Sequence, residues 1–172
     1  MTADATDNPA LADAGDWQPL PPAARTVWSI ATALSALLPA TAVAVVVFVA
    51  ADDLSLPLRV AAALGIWLLP VALLVWLARA RWRRTHWRLD ANGLRVRRGL
   101  VWRSEVLVPR SRVQHLDLER GPIERRFGLA TLVVHTAGTR MHALRQSGFH
   151  DADAVALRDA LLPEADRHDD SL

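Results

Sequence analysis

The sequence has no cysteine, no lysine and no tyrosine, and two long stretches of it carry no charge at all. Without cysteine there is no disulfide framework, no thiolate metal site and no thiol nucleophile, so stability must come from burial and from whatever solvent surrounds the apolar segments. All 20 basic residues are arginine. The missing tyrosine, with only Phe127 and Phe149 outside the apolar segments, and the absence of any RNA-recognition or helix-turn-helix pattern argue against a nucleic-acid partner. No His-Glu-x-x-His pair, phosphate-cradling glycine loop or nucleophile elbow is present, and Ser104, Ser111 and Ser147 have no evident base. These absences predict a protein that is not an enzyme and that holds no cofactor. Among the six histidines, His135 and His142 are expected to face each other across an Ala137-Gly138 turn. Two imidazoles fall short of the three or four ligands a metal usually needs, so no metal is expected.

Charge is missing from residues 26–51 and again from residues 60–78. A bilayer core about 30 Å thick takes roughly 20 apolar residues at about 1.5 Å per residue, and both segments reach that length. Buried helices of a soluble bundle would show a polar face at helical period, which neither segment has. The connection Asp52-Asp53-Leu54-Ser55-Leu56-Pro57-Leu58-Arg59 is too short for a domain, which makes the pair an antiparallel hairpin. Arg25 precedes the first span, and Arg79, Arg81, Arg83, Arg84 and Arg88 follow the second, whereas the loop has one Arg and two Asp. The positive-inside rule then places both termini in the cytoplasm of a bacterial plasma (inner) membrane. Trp28, Trp76 and Trp82 fall at that same interface. The acidic start of the chain is unlike a secretory signal, so the first span is expected to remain attached.

The formal charge of +2 is a cancellation. Residues 1–24 carry four Asp and no Arg, residues 79–145 carry sixteen Arg against five acids, and residues 150–172 carry two Arg against seven acids. A basic block between acidic ends suggests a polyanionic neighbour, here an anionic phospholipid surface. The residues expected to face lipid headgroups are Arg79, Arg81, Arg83 and Arg84 at the exit of the second span, Arg95 and Arg97 on one strand face, and Arg125 and Arg126 on a neighbouring turn.

Past residue 85 the period changes from helical to alternating. Trp87 and Leu89 interleave with Arg88 and Asp90, and Leu94 and Val96 with Arg95 and Arg97. Asn92-Gly93 between them predicts a type I′ hairpin turn. Further strands are expected at 100–108, 113–119, 129–136 and 139–144, and Pro109 would end one of them where a missing N–H is tolerated. Residues 151–162 read as a helix stopped by Pro163, with Ala154, Leu157 and Leu161 on one face. Gly121 and Gly128 bracket a helical turn that Ile123 and Phe127 would pin, leaving Arg125 and Arg126 outward. Short strands followed by one helix predict an antiparallel barrel or sandwich.

The run from Pro109 to Gly138, most specifically Gly121-Pro122-Ile123-Glu124-Arg125-Arg126-Phe127-Gly128 followed by a strand ending Thr136-Ala137-Gly138, resembles the bacterial pleckstrin-homology-like (PH) domain of YdbS-like membrane proteins. Leu94-Arg95-Val96-Arg97-Arg98-Gly99 and the two preceding spans match that family's layout. The resemblance implies a PH-like fold of two packed antiparallel sheets closed by a C-terminal helix, and implies no catalytic residues. It also implies a membrane-protein partner, such as a larger multi-domain PH-like membrane protein. The expected organisation is a disordered acidic tail (1–24), a transmembrane hairpin (25–80, with spans near 26–51 and 60–78), a cytoplasmic PH-like domain (81–163) and a second acidic tail (164–172). The expected function is a membrane-anchored binding or scaffold module, an accessory subunit in a cell-envelope complex. The alternative is a lipid-processing enzyme or regulator at the membrane interface.

Overall fold

The structure is a computed structural model that describes residues 16–136 and 144–162. It divides into two units, residues 25–82 and residues 1–24 with 83–172.

The first unit is built from two long helices, Pro22–Ala50 and Leu56–Arg83. With 29 and 28 residues they are roughly 42–44 Å long, more than the hydrocarbon core requires. Their outward side chains are Leu and Val, with Leu38 82% and Leu69 72% exposed. A soluble bundle would leave that apolar surface in water, so it needs lipid around it. Few polar contacts join the two helices. Trp67 Nε1 donates to Thr41 Oγ1 at 3.1 Å, and Arg59 donates to the Phe48 carbonyl at 2.7 and 3.1 Å. That carbonyl is one of the last four of its helix and would otherwise have no partner.

The second unit is two antiparallel sheets. The first contains β1 (Gln18–Pro19), β2 (His86–Asp90), β3 (Gly93–Arg98) and β4 (Ser104–Pro109) in that spatial order. The second contains β5 (Val113–Glu119), β6 (Leu129–Thr136) and β7 (Leu144–His150), again in order. A 3₁₀ turn (Arg110–Arg112) joins the sheets, a short helix (Pro122–Arg126) joins β5 to β6, and the chain closes with a helix at Asp151–Leu161. This is the sandwich with a C-terminal helix that the sequence predicts.

Alternation places the core. In β2 Trp87 and Leu89 are buried while His86, Arg88 and Asp90 are half-buried. Trp87 meets Phe149 of β7 edge-to-face at 5.6 Å, a preferred aromatic geometry that ties the two sheets. Leu94, Val96, Leu132 and Val134 are fully buried, and the C-terminal helix adds Ala154, Leu157 and Leu161 from one stripe. On the short helix Ile123 and Phe127 are half-buried and Arg125 and Arg126 exposed. Its Glu124 also accepts from the Gly121 N–H at 2.9 Å and from Thr131 Oγ1 at 2.8 Å, a polar clamp added to the apolar one.

Three expectations need correction. Residues 16–24 are not tail: β1 pairs with β2, Gln18 opposite Trp87 and Pro19 opposite His86, and Leu20 is buried. The helical hairpin is therefore inserted between the first and second strands of the sandwich unit. The strand expected at 100–108 starts only at Ser104, because Gly99 turns the chain at φ +133° and the next residues form a loop. The Asn92-Gly93 turn is not type I′, since only Gly93 has positive φ. Asp90 Oδ1 accepts from the N–H groups of Asn92 (2.9 Å) and Gly93 (3.2 Å), so a carboxylate closes the turn instead. Of the strand expected at 139–144, only Leu144 lies within the described residues, where it opens β7.

Candidate functional site

The β3–β4 register sets His86, Arg97 and Glu105 in one cross-strand row and Arg98 and Ser104 in the next. At this end of the first sheet, where the chain enters from the second long helix, lies a cleft of about 720 Å³. Five arginines line it, Arg83, Arg84, Arg97, Arg98 and Arg103, against one acid, Glu105. Arg97 donates to Glu105 Oε2 at 3.1 and 3.4 Å. That hydrogen bond, with Arg95 behind it, holds the Glu105 carboxyl below the usual carboxylate range. Arg84 donates to the Leu100 carbonyl at 2.9 Å and Arg98 to the Arg145 carbonyl at 3.2 Å. Among the described residues no carboxylate pairs with Arg83, Arg84, Arg98 or Arg103. Four guanidiniums on one concavity without counter-charge form a site for anionic oxygens, which their planar forks bind in bidentate fashion.

The loop beside the cleft is apolar. Val101 is 84% and Trp102 88% exposed, between Arg98 and Arg103. Gly99 makes this loop possible, because a Cβ on it would run into the Trp102 backbone carbonyl. An indole held in the open beside arginines has the composition of a membrane-interface anchor.

The other expected lipid-facing arginines are placed differently. Arg95 lies 3.1 Å from Asp90 and 3.5 Å from Glu105, a partner on either side. Arg97 belongs to the cleft and also stacks on Trp17. Arg125 and Arg126 are exposed on the short helix and do not line the cleft. In the hairpin unit Arg79 Nε donates to Ser29 Oγ at 3.3 Å, while Arg81 is exposed near the end of the second long helix. Sequence reasoning missed Arg98, Arg103 and the Val101-Trp102 tip. Their signal was present as Arg-Arg-Gly-Leu-Val-Trp-Arg, a glycine followed by bulky apolar residues between arginines. His142 lies outside the described residues; His135 stacks on His115 of β5.

Comparison with known proteins agrees with this architecture. The UPF0699 transmembrane protein YdbS of Bacillus subtilis (strain 168) is 30% identical over 119 residues, 67% of this chain and 72% of the relative. No solved structure matches the chain. The family described as "Bacterial PH domain" matches residues 29–167. With two apolar helices and a two-sheet sandwich closed by a helix, the chain is a membrane protein that belongs to the bacterial PH domain family.

Proposed function

We propose that this protein is a non-catalytic binding and scaffold module on the cytoplasmic face of the plasma membrane, docked by its arginine cleft and its Val101-Trp102 tip onto anionic lipid headgroups. The observation that carries this reading is the joint placement of four arginines without carboxylate partners and an exposed indole on one edge of the PH unit. Each basic residue near an anionic leaflet contributes about 1 kcal/mol, falling off within a Debye length of about 8 Å. Arg83 and Arg84 follow the second span directly in sequence, so chain connectivity keeps them near headgroups. Tryptophan adds an amphipathic ring at the same depth. A binding role is favoured over lipid processing because Ser104 and His86 line the same cleft without a hydrogen bond between them, and among the described residues the hydroxyl is paired with no base. With this edge on the leaflet, the second sheet remains for a membrane-protein partner, which crosslinking in native membranes would capture as a discrete heavier band.

Because the chain lacks cysteine, a single Cys replacing Trp102 takes a polarity-sensitive fluorophore at one place. In full-length protein reconstituted into anionic bilayers the dye is expected to report an apolar environment. Neutral bilayers, or replacement of Arg84, Arg98 and Arg103 by Gln, are expected to return it to water. Water-like emission in both bilayers would remove the lipid-docking role.

A further inference from the structure

The second sheet presents a cluster that the lipid reading does not use. His115 of β5 and His135 of β6 are direct cross-strand partners, and Asp117 lies two residues along β5 on the same face. The imidazoles stack with centroids 4.2 Å apart and planes 12° from parallel. One carboxylate oxygen serves both rings: Asp117 Oδ2 is 3.2 Å from His135 Nε2 and 3.9 Å from His115 Nε2. One ligand atom from each of the three residues lies within 4.8 Å of the other two. Immediately before His115 the pairing slips at a bulge between Val113 and His115, the kind of irregularity that re-aims a side chain.

We propose that His115, His135 and Asp117 form a binding site for a first-row divalent transition metal. Zinc-to-nitrogen and zinc-to-oxygen bonds of about 2.0–2.2 Å set ligand atoms of a tetrahedral ion roughly 3.3 Å apart. The His135–Asp117 separation already has that value, and the His115–Asp117 separation is slightly longer. Both rings must tilt out of the stack so that their lone pairs converge, a side-chain rotation that leaves the paired strands in place. Nothing among the described residues competes, since the contacts of the two rings are with each other and with Asp117. Two imidazoles and one carboxylate select zinc, nickel or copper over calcium or magnesium, whose ligands are all oxygen. Three protein ligands leave at least one position for water, and the exposure of His115 (63%) and Asp117 (57%) keeps that position open to solvent.

The test uses the full chain in lipid nanodiscs, treated with chelator and then titrated with Zn²⁺ by calorimetry. One saturable equivalent is expected, with affinity at least tenfold weaker in each of His115→Asn, His135→Asn and Asp117→Asn and unchanged in His150→Asn, an exposed histidine outside the cluster. The same preparation loaded with Cu²⁺ should show hyperfine coupling to two nitrogens by electron spin resonance, and to one in either histidine variant. Circular dichroism reports whether each variant is folded, and because His115 and Asp117 are exposed their variants keep the test decisive even if His135→Asn unfolds. Absence of saturable binding would overturn the proposal, as would binding that persists in the His115→Asn and Asp117→Asn variants.

Discussion

Arg97 lies over the ring of Trp17, its guanidinium carbon 4.2 Å from the ring centroid, and Arg88 approaches the same indole at 5.0 Å. A residue before the first membrane helix is thus held by strands that follow the second. The hairpin becomes an insertion in the PH unit, with both of its ends anchored in one sheet.

Trp17→Ala should therefore destabilise the PH unit, although the substitution lies in a segment that reads as a polar tail. Two cation–π contacts at about 0.5–1 kcal/mol each suggest a loss of about 1–2 kcal/mol. Thermal unfolding of the full chain in detergent would measure it. An unchanged melting temperature would mean that the contacts of Trp17 with Arg88 and Arg97 contribute nothing to the fold.

Gly93 sits at φ +141°, and a Cβ there would collide with the Val108 carbonyl of β4. Gly93→Ala combines a disfavoured backbone with a backbone clash at the start of β3, where that strand pairs with the end of β4. The expected cost is about 1–3 kcal/mol. Asn92→Ala, whose backbone N–H is used but whose side chain is exposed, should cost much less. Chemical denaturation of the pair separates strain at the glycine from a general loss of turn propensity.

The period-2 pattern of β2 was legible because that strand buries one face, β6 was legible as a short apolar run because it is buried along nearly its whole length, and β5 and β6 have the bounds the sequence predicts, Val113–Glu119 and Leu129–Thr136. β1 was not, because two residues show no period and its partner lies beyond two membrane helices. Leu100, Val101 and Trp102 continued an apolar run and read as strand, while the geometry at Gly99 made them a loop. The cleft was only half legible. Arg83, Arg84 and Arg97 were expected at the membrane, but their grouping with Arg98 and Arg103 depends on the β3–β4 register, which no local pattern states. The same holds for His115 and His135, twenty residues apart in sequence and opposite each other in the sheet.

Glu105 gives a pH dependence with a definite sign. Its carboxyl is held below the ordinary value of 4.5, first by the Arg97 hydrogen bond and then by Arg95. A carboxyl with a depressed folded pKa contributes stability that is present above its unfolded pKa and is lost as pH falls through the folded value. Wild type should thus exceed Glu105→Gln in melting temperature at neutral pH by a small margin, and the two curves should converge in acid. A gap that stays constant with pH would mean the loss is not electrostatic. The same substitution removes the carboxylate partner of Arg97 in the cleft, so affinity for anionic vesicles should rise.

Topology is the last expectation, and the charges on either side of the hairpin argue it. Arg25, Arg79, Arg81, Arg83, Arg84 and Arg88 lie toward the terminal ends of the helices, whereas the loop has Asp52 and Asp53, with Arg59 in the first turn of the second helix. Arg59 is moreover occupied: it binds the Phe48 carbonyl and lies 4.7 Å over the Phe48 ring, satisfying the end of its own hairpin. The loop therefore offers little positive charge to hold it on the cytoplasmic side, and its two aspartates translocate without penalty under a rule that counts Lys and Arg. Both termini should then be cytoplasmic and the loop outside. In this cysteine-free chain, Ser55→Cys should react with a membrane-impermeant thiol reagent on intact cells, while Ala3→Cys and Ser171→Cys should react only after lysis. Labelling at the termini with protection at Ser55→Cys would reverse the orientation, and with it the assignment of the arginine cleft to the cytoplasmic leaflet.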